Sequence, residues 1–220
     1  MPDIIVTIPA HNEAATIGQV IGGVRETMPD ARIQVVCNAC ADDTAIVAQR
    51  CGAIIYDTPV GGLANAFRME MEHISGNDII VHIDADGQYD PAEIPLLVEW
   101  IYKGYDLVLG NRLNKKLKKK KVVRYILNKM GSMAYSFMLL RWIPDMTTGF
   151  RAFTPEVAKL PIISDYTYTQ EQVWRAIKNG FKVKSVPITF YRRPVGDSRL
   201  VSSASSYLMR SFKDFRRFAL

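Results

Sequence analysis

Cysteine, histidine and long apolar runs are all scarce in this chain. Its 220 residues hold three cysteines, Cys37, Cys40 and Cys51, and three scattered histidines, a set without the spacing of a four-ligand zinc site. Cys37-Asn38-Ala39-Cys40 is a C-x-x-C after a strand pattern. That leaves a redox pair as the minor reading beside two ordinary thiols in a reducing, cytoplasmic setting. No stretch reaches the ~20 apolar residues that span a bilayer. The nearest, Met130 to Leu140, is flanked by Lys129 and Arg141. The apolar residues from Ile4 begin a strand pattern, so no signal peptide is expected. Internal repeats and Pro/Ser-rich linkers are lacking as well, which favours a single domain.

What is present is a globular composition, 48% hydrophobic and 23% charged, sufficient for one sizeable core. The net charge of +6 suits an anionic partner: a nucleotide, a phospholipid surface or a nucleic acid. A nucleic-acid module would rest on Lys115, Lys116 and Lys118 to Lys121 alone. No helix-turn-helix or aromatic RNA-binding motif accompanies them, so no nucleic-acid partner is expected.

Strand and helix patterns alternate along the first half. Ile4 to Ile8, Ile33 to Cys37, Ala53 to Tyr56, Ile79 to Ile83 and Asp106 to Leu109 read as strands. Helical periods run through Glu13 to Val24, the stretch carrying Ile46 and Val47, Leu63 to Ile74 and Ile94 to Tyr102. Such repeated units predict an α/β fold, a mainly parallel sheet with helices on both faces. Further on come a helical stretch from Val122 to Ile143, a strand element within Phe181 to Tyr191 and a closing helix from Leu200 to Leu220.

Three motifs follow strand ends: Pro9 to Glu13, Cys37 to Asp42 and Asp84 to Gln88. In open α/β sheets that edge is where ligands bind. Asp84 and Asp86 lie one residue apart, so persisting strand geometry points both carboxylates to one side, and Gln88 adds a third oxygen there. Mg²⁺ or Mn²⁺ takes such oxygens and leaves room for substrate phosphates. A bare D-x-D is also a common solvated turn; its surroundings decide.

Those surroundings resemble glycosyltransferase family 2, inverting nucleotide-sugar enzymes with the GT-A fold, from Ile4 to about Leu200. Ile8 to Glu13 is similar to the family's P-x-Y-N-E opening, with His11 for tyrosine, and Ile83 to Pro91 to its D-A-D-x-Q stretch. Asp145-Met146-Thr147-Thr148-Gly149-Phe150-Arg151 resembles the D-x-x-S-G-F-R segment of the dolichyl- and polyprenyl-phosphate mannosyl- or glucosyltransferases. Val186-Pro187-Ile188 with Gly196 to Leu200 resembles that branch's close.

The resemblance implies a catalytic domain over residues 1–200, with an acceptor-side basic loop and helix at about 111–143 and an amphipathic helix at 201–220. It implies that Pro9, His11, Glu13, Val35 and Cys37 line the nucleotide pocket. Asp84, Ala85 and Asp86 would hold the diphosphate through the metal, with Gln88 completing the coordination. Arg112 would lie near the transferred sugar, and Arg193 and Arg199 would close over the diphosphate. Arg124 and Asn128 would meet an acceptor phosphate. The chain departs from the family at Cys37, where an aspartate usually meets the base, and in the Gly61-Gly62-Leu63-Ala64 turn, which lacks a lysine. Cysteine is a poor acceptor, so the base preference stays open. An inactive relative, suggested by Cys37, would bind neither metal nor nucleotide.

Two acceptor classes follow. A polyprenyl phosphate brings an anionic oxygen and requires no general base. A soluble or glycan hydroxyl needs a carboxylate, with Glu171 and Asp145 as candidates. Glu171 matches the second of a family acidic pair whose first member is Thr169 here; its plainer reading is a carboxylate favoured at a helix N-terminus. The closing helix puts Leu208, Phe212, Phe215 and Ala219 on one face, and Arg210, Lys213, Arg216 and Arg217 on the rest. That pattern, with the six lysines, suits peripheral binding to the cytoplasmic face of a membrane.

Overall fold

A computed structural model describes residues 3–74, 76, 78–112, 131–133, 135–194 and 204–219, with the side chains of the closing helix described from Met209 onward. The strands are β1 (Ile4–Ala10), β2 (Arg32–Asn38), β3 (Ile54–Thr58), β4 (Ile79–His82), β5 (Leu107–Asn111), β6 (Arg151–Phe153) and β7 (Val183–Pro187). The helices are α1 (Ile17–Thr27), α2 (Thr44–Arg50), α3 (Leu63–Glu72), α4 (Ile94–Tyr102), α5 (Pro155–Ala158), α6 (Tyr168–Lys178) and α7 (Ala204–Ala219).

The strands form one sheet in the order β3-β2-β1-β4-β6-β5-β7. All neighbours are parallel except β6, which runs antiparallel to both β4 and β5. From β1 the chain builds outward through β2 and β3, then crosses back to lay β4 on the other side of β1. The strand order therefore reverses between β1 and β4. The carboxyl ends of those strands open into the crevice that such a reversal leaves.

Period-two alternation divides the apolar residues between two layers. Val6, Ile8, Ala10, Val81 and Ile83 pack under Ile17, Ile21 and Val24 of α1 and Leu97 of α4. Ile5, Ile80, Leu107 and Phe153 pack against Phe67 of α3 and Val173 of α6. Each fully buried Ile or Phe contributes about 1.5–3 kcal/mol relative to exposure. The closing helix α7 docks on α6, its Phe215 ring 5.4 Å from Trp174. Its Asp214 accepts from the Tyr166 and Thr167 backbone N–H groups at 2.8 and 3.0 Å, where α6 begins.

The expected strands and helices of the first half are present with shifted ends. Helix α1 begins at Ile17 rather than Glu13, because residues 13–16 form a turn, with Thr16 and Ile17 donating to the Glu13 carbonyl. Residues 131–133 and 135–138 are helical, as expected for part of the 122–143 stretch.

Candidate active site

The loops after β1 and β2 are stitched together at the crevice. Asn12 adopts a left-handed φ of 54°, and its side-chain oxygen accepts from Ala41 N–H at 2.7 Å. His11 bonds the Asn38 carbonyl through Nδ1 at 2.6 Å, and Cys40 Sγ donates to the Ala10 carbonyl at 3.4 Å. Asp42 is partly desolvated, but bonds from the Thr44 hydroxyl and from the Thr44 and Ala14 N–H groups hold it below the usual carboxylate range. It ties the β2 loop to the start of α1.

Val35 and Cys37 require correction as side chains lining a nucleotide pocket. Alternation along β2 turns both into the α1-side core with Ile33, and both are fully buried. Burial, with Cys40 nearby, pushes the Cys37 thiol up to about 12, so it stays neutral. Ala85 also faces that core, which leaves the flanking Asp84 and Asp86 on the open side. Pro9 is buried within β1, while His11 is exposed at the strand's end.

Asp84 and Asp86 form the acidic centre, with side chains 36% and 17% exposed. Asp84 leans over Gly149, where any Cβ would stand 2.6–2.9 Å from its carboxylate; a larger residue there would have to displace the carboxylate. Partial burial, and then the neighbouring charge of Asp84, raise Asp86 to about 6. A divalent cation relieves that repulsion, so the donor set fits Mg²⁺ or Mn²⁺, which needs only one or two carboxylates beside substrate phosphates. No cluster of three or more acidic, His or Cys ligands occurs among the described residues.

Opposite stands Arg193, whose guanidinium bonds Glu13 and lies 3.4 Å from Asp86. Its segment is held by pairing with the acidic loop: Tyr191 N–H donates to the Gln88 carbonyl at 2.8 Å, and Tyr89 bridges Phe190. Gln88, expected as a third metal ligand, is largely buried and donates its side-chain amide to the Tyr191 carbonyl at 3.0 Å. That amide clamps the segment carrying Arg193.

Arg112 is expected beside the transferred sugar, and the structure shows what holds it. Its Nε and one terminal nitrogen grip the two oxygens of Asp145 at 2.8 and 2.9 Å, and Thr147 and the Tyr89 hydroxyl take further N–H groups. Asp145 is fully buried and held below the usual carboxylate range: Arg112 outweighs the opposing desolvation. A carboxylate so paired is a poor proton acceptor, which removes it as a candidate base.

Glu171 requires the same correction. It is fully buried near the start of α6, and its oxygens accept from Ile163 N–H, Ser164 N–H and Arg175 Nε at 2.7–3.1 Å. It anchors the loop before α6, in keeping with its plainer reading. Glu171→Gln is therefore expected to cost about 1–3 kcal/mol of stability. Turnover per folded molecule should stay within a few-fold of the parent, as active-site-normalised initial rates and urea melts would record.

Reading the sequence missed a buried polar group under Asp84. His82 ends β4, with Nδ1 2.8 Å from Glu70 of α3 and Nε2 3.4 Å from the Tyr168 hydroxyl. The available signal was its place two residues before Asp84, on the same side of the strand. Arg151, also fully buried, bonds the Thr148 and Thr169 carbonyls and Gln172. Arg124, Asn128 and Arg199 lie outside the described residues.

Comparison with known proteins matches this arrangement to a family. The model of the family described as Glycosyl transferase family 2 matches residues 5–160. The chain is 30% identical to the polyprenol monophosphomannose synthase of Mycolicibacterium smegmatis, covering 90% of this chain and 81% of that one. It is 28% identical to the undecaprenyl-phosphate mannosyltransferase of Micrococcus luteus, covering 90% and 87% respectively. Among solved structures, glucosyl-3-phosphoglycerate synthase from Mycobacterium tuberculosis with phosphoglyceric acid superposes at a TM-score of 0.80. The identity is 21%, over all of this chain and 81% of that one. A complex of that enzyme with Mn²⁺, uridine diphosphate and phosphoglyceric acid gives 0.78 at 22% identity, over 97% and 78%. The chain belongs to glycosyl transferase family 2 and is a glycosyltransferase of the GT-A fold.

Proposed function

We propose that this chain transfers a hexose, with inversion, from a nucleoside-diphosphate sugar of the GDP-mannose or UDP-glucose type to a polyprenyl or dolichyl phosphate. The reaction takes place at the cytoplasmic face of a membrane. The observation that carries the reading is the Asp84–Asp86 pair at the β1/β4 strand reversal, faced by Arg193. Asp84 and Asp86 would hold Mg²⁺ or Mn²⁺, and the ion, when bound, neutralises charge on the departing diphosphate. Arg193, released from Asp86 and Glu13, takes diphosphate oxygens with its planar fork. Arg199 joins it, while Arg124 and Asn128 receive the acceptor phosphate. His11, Glu13 and the backbone beside Pro9, Val35, Cys37 and Ala85 border the nucleotide.

Residues 1–200 form the catalytic domain in this reading, with 201–220 as its amphipathic appendage. Arg112, fixed by Asp145, would present its remaining N–H groups to the transferred sugar and phosphates. Preorganised charge of this kind acts where negative charge develops in the transition state.

The engagement of both candidate bases favours a phosphate acceptor over a hydroxyl. Asp145 is spent on Arg112, and Glu171 on backbone N–H groups and Arg175. An acceptor phosphate is already anionic and loses no proton on attack.

An exposed apolar surface supports the membrane setting. Phe137 is 81% and Leu140 92% exposed, with Met133, Met138 and Trp142 beside them in sequence. Tyr135 joins this segment to α7 through Phe215, at 5.3 Å between ring centroids. On α7, Phe215 and Phe218 pack against Trp174, whereas Met209 and Phe212 stand out among Lys213, Arg216 and Arg217. Such patches, rimmed with basic residues, suit an anionic lipid surface. No helix among the described residues is long and apolar enough to cross a membrane.

The test is a panel of labelled GDP- and UDP-sugars, with a polyprenyl phosphate in detergent and soluble sugars as competing acceptors. Label is expected in the lipid product from one of these donors. Transfer to soluble hydroxyls alone would reject the reading.

A further inference from the structure

Behind Asp84 lies a buried polar group that makes no contact with the sugar, the phosphates or the metal in the proposed reaction. Glu70 and His82 are fully buried, and Tyr168 nearly so. Around them the sheet face carries the apolar Ile5, Ile80, Leu107 and Phe153, together with buried Thr7, Gln34 and Arg151. Burying such groups is costly, and replacing a buried polar set with well-packed apolar residues is often neutral or stabilising. Folding alone gives little reason for them. Toward the site, His82 Nε2 lies 3.9 Å from Asp84 Oδ1.

The contacts define how the ring is held. Nδ1 is hydrogen-bonded to Glu70 Oε2 at 2.8 Å and lies 3.4 Å from the Thr7 hydroxyl. The Phe67 ring lies 5.7 Å from the imidazole and 4.9 Å from the Tyr168 ring, between centroids. The imidazole is thereby gripped on its Nδ1 edge, so its Nε2 edge faces two groups, the Tyr168 hydroxyl at 3.4 Å and Asp84. Gly149 closes the other side of the Asp84 carboxylate.

We propose that His82, held by Glu70 and Tyr168, is a positioning residue that sets the Asp84 carboxylate for the metal-bound diphosphate of the donor. The inference rests on the metal reading of the site given above. Partners that orient a metal-binding side chain typically change metal affinity 10–100-fold when removed.

The test separates positioning from a structural role by the geometry of the replacement. Asparagine puts an amide nitrogen near the place of Nδ1, so His82→Asn keeps a donor for Glu70 and loses everything toward Asp84. Glutamine puts its nitrogen near Nε2. Mn²⁺ binding is measured by titration calorimetry with saturating UDP or GDP, alongside thermal melts. His82→Asn is expected to bind Mn²⁺ about 10–100-fold more weakly with a melt close to the parent's, and His82→Gln should recover part of the loss. In kinetics, the metal concentration for half-maximal rate rises while kcat at saturating metal moves little. Wild-type Mn²⁺ affinity in His82→Asn would overturn the proposal.

If that variant does not fold, Tyr168→Phe removes only the hydroxyl on Nε2. It should weaken Mn²⁺ several-fold, and unchanged affinity would overturn the proposal equally. Asp86→Asn serves as the control. If it loses Mn²⁺ while His82→Asn and Tyr168→Phe keep it, the positioning role alone fails. If the parent binds none, the metal reading fails as well.

Discussion

Asp86→Asn is expected to abolish transfer and, at neutral pH, to make the chain more stable than the parent. The loss should be roughly 10³-fold or more, the several kcal/mol of charge stabilisation a metal site supplies. The gain follows from the carboxylate's raised pKa. Burial and the charge of Asp84 lift Asp86 from 3.8 to about 6 in the folded chain. A carboxyl whose folded pKa is raised contributes stability that is fully present below its unfolded pKa and lost as pH rises through the folded value. Above pH 6 the parent therefore carries an unfavourable charge that asparagine lacks. A rise from 3.8 to about 6 corresponds to about 3 kcal/mol at most; partial exposure of the side chain reduces the expected gain to about 1–2 kcal/mol. Thermal melts at pH 8 and pH 4 check the sign: the variant's advantage is present at pH 8 and vanishes at pH 4. Added Mn²⁺ with a nucleoside diphosphate reverses the order, because the ion stabilises only the chain that binds it. For the same reason metal affinity in the parent falls as pH drops below about 6, where the proton competes for Asp86.

Asp145→Ala carries the largest expected loss of stability. It strips a buried guanidinium of both carboxylate oxygens, and Arg112 also loses the acceptor for its backbone N–H, at 3.2 Å. Breaking a buried pair from one side costs about 3–5 kcal/mol, because the remaining charge is left uncompensated. Urea unfolding would show the midpoint falling by that amount divided by an unchanged slope. Replacing both partners with apolar residues, Arg112→Met with Asp145→Leu, should recover most of the stability but not the activity. A single-variant loss under 1 kcal/mol would mean that the pair is solvated and that Arg112 is free to act elsewhere.

Much of the sheet was legible because parallel strands buried on both faces read as continuous apolar runs, as in Ile4 to Ile8 and Ile79 to Ile83. Strand β6 was not: three residues inside a motif, Arg151 to Phe153, carry no period of their own, and their pairing partners lie far away in sequence. The acidic centre was visible as a D-x-D at a strand end. The occupations of Arg112, Gln88 and Glu171 were not, since each is set by a partner that only the fold brings near: Asp145, Tyr191, and Ile163 with Ser164. Val35 and Cys37 were legible from alternation with Ile33, which assigns all three to the core side. His82 looked like one more strand residue, because nothing local marks a histidine whose partners sit 12 and 86 residues away.

The most direct measurement is hexose transfer to a polyprenyl phosphate with Mn²⁺, then with excess chelator, then with Mn²⁺ restored. If Asp84 and Asp86 hold the donor through a divalent cation, transfer falls to background in chelator and returns in full when the ion does. Undiminished transfer in chelator would contradict a metal-held donor at this site.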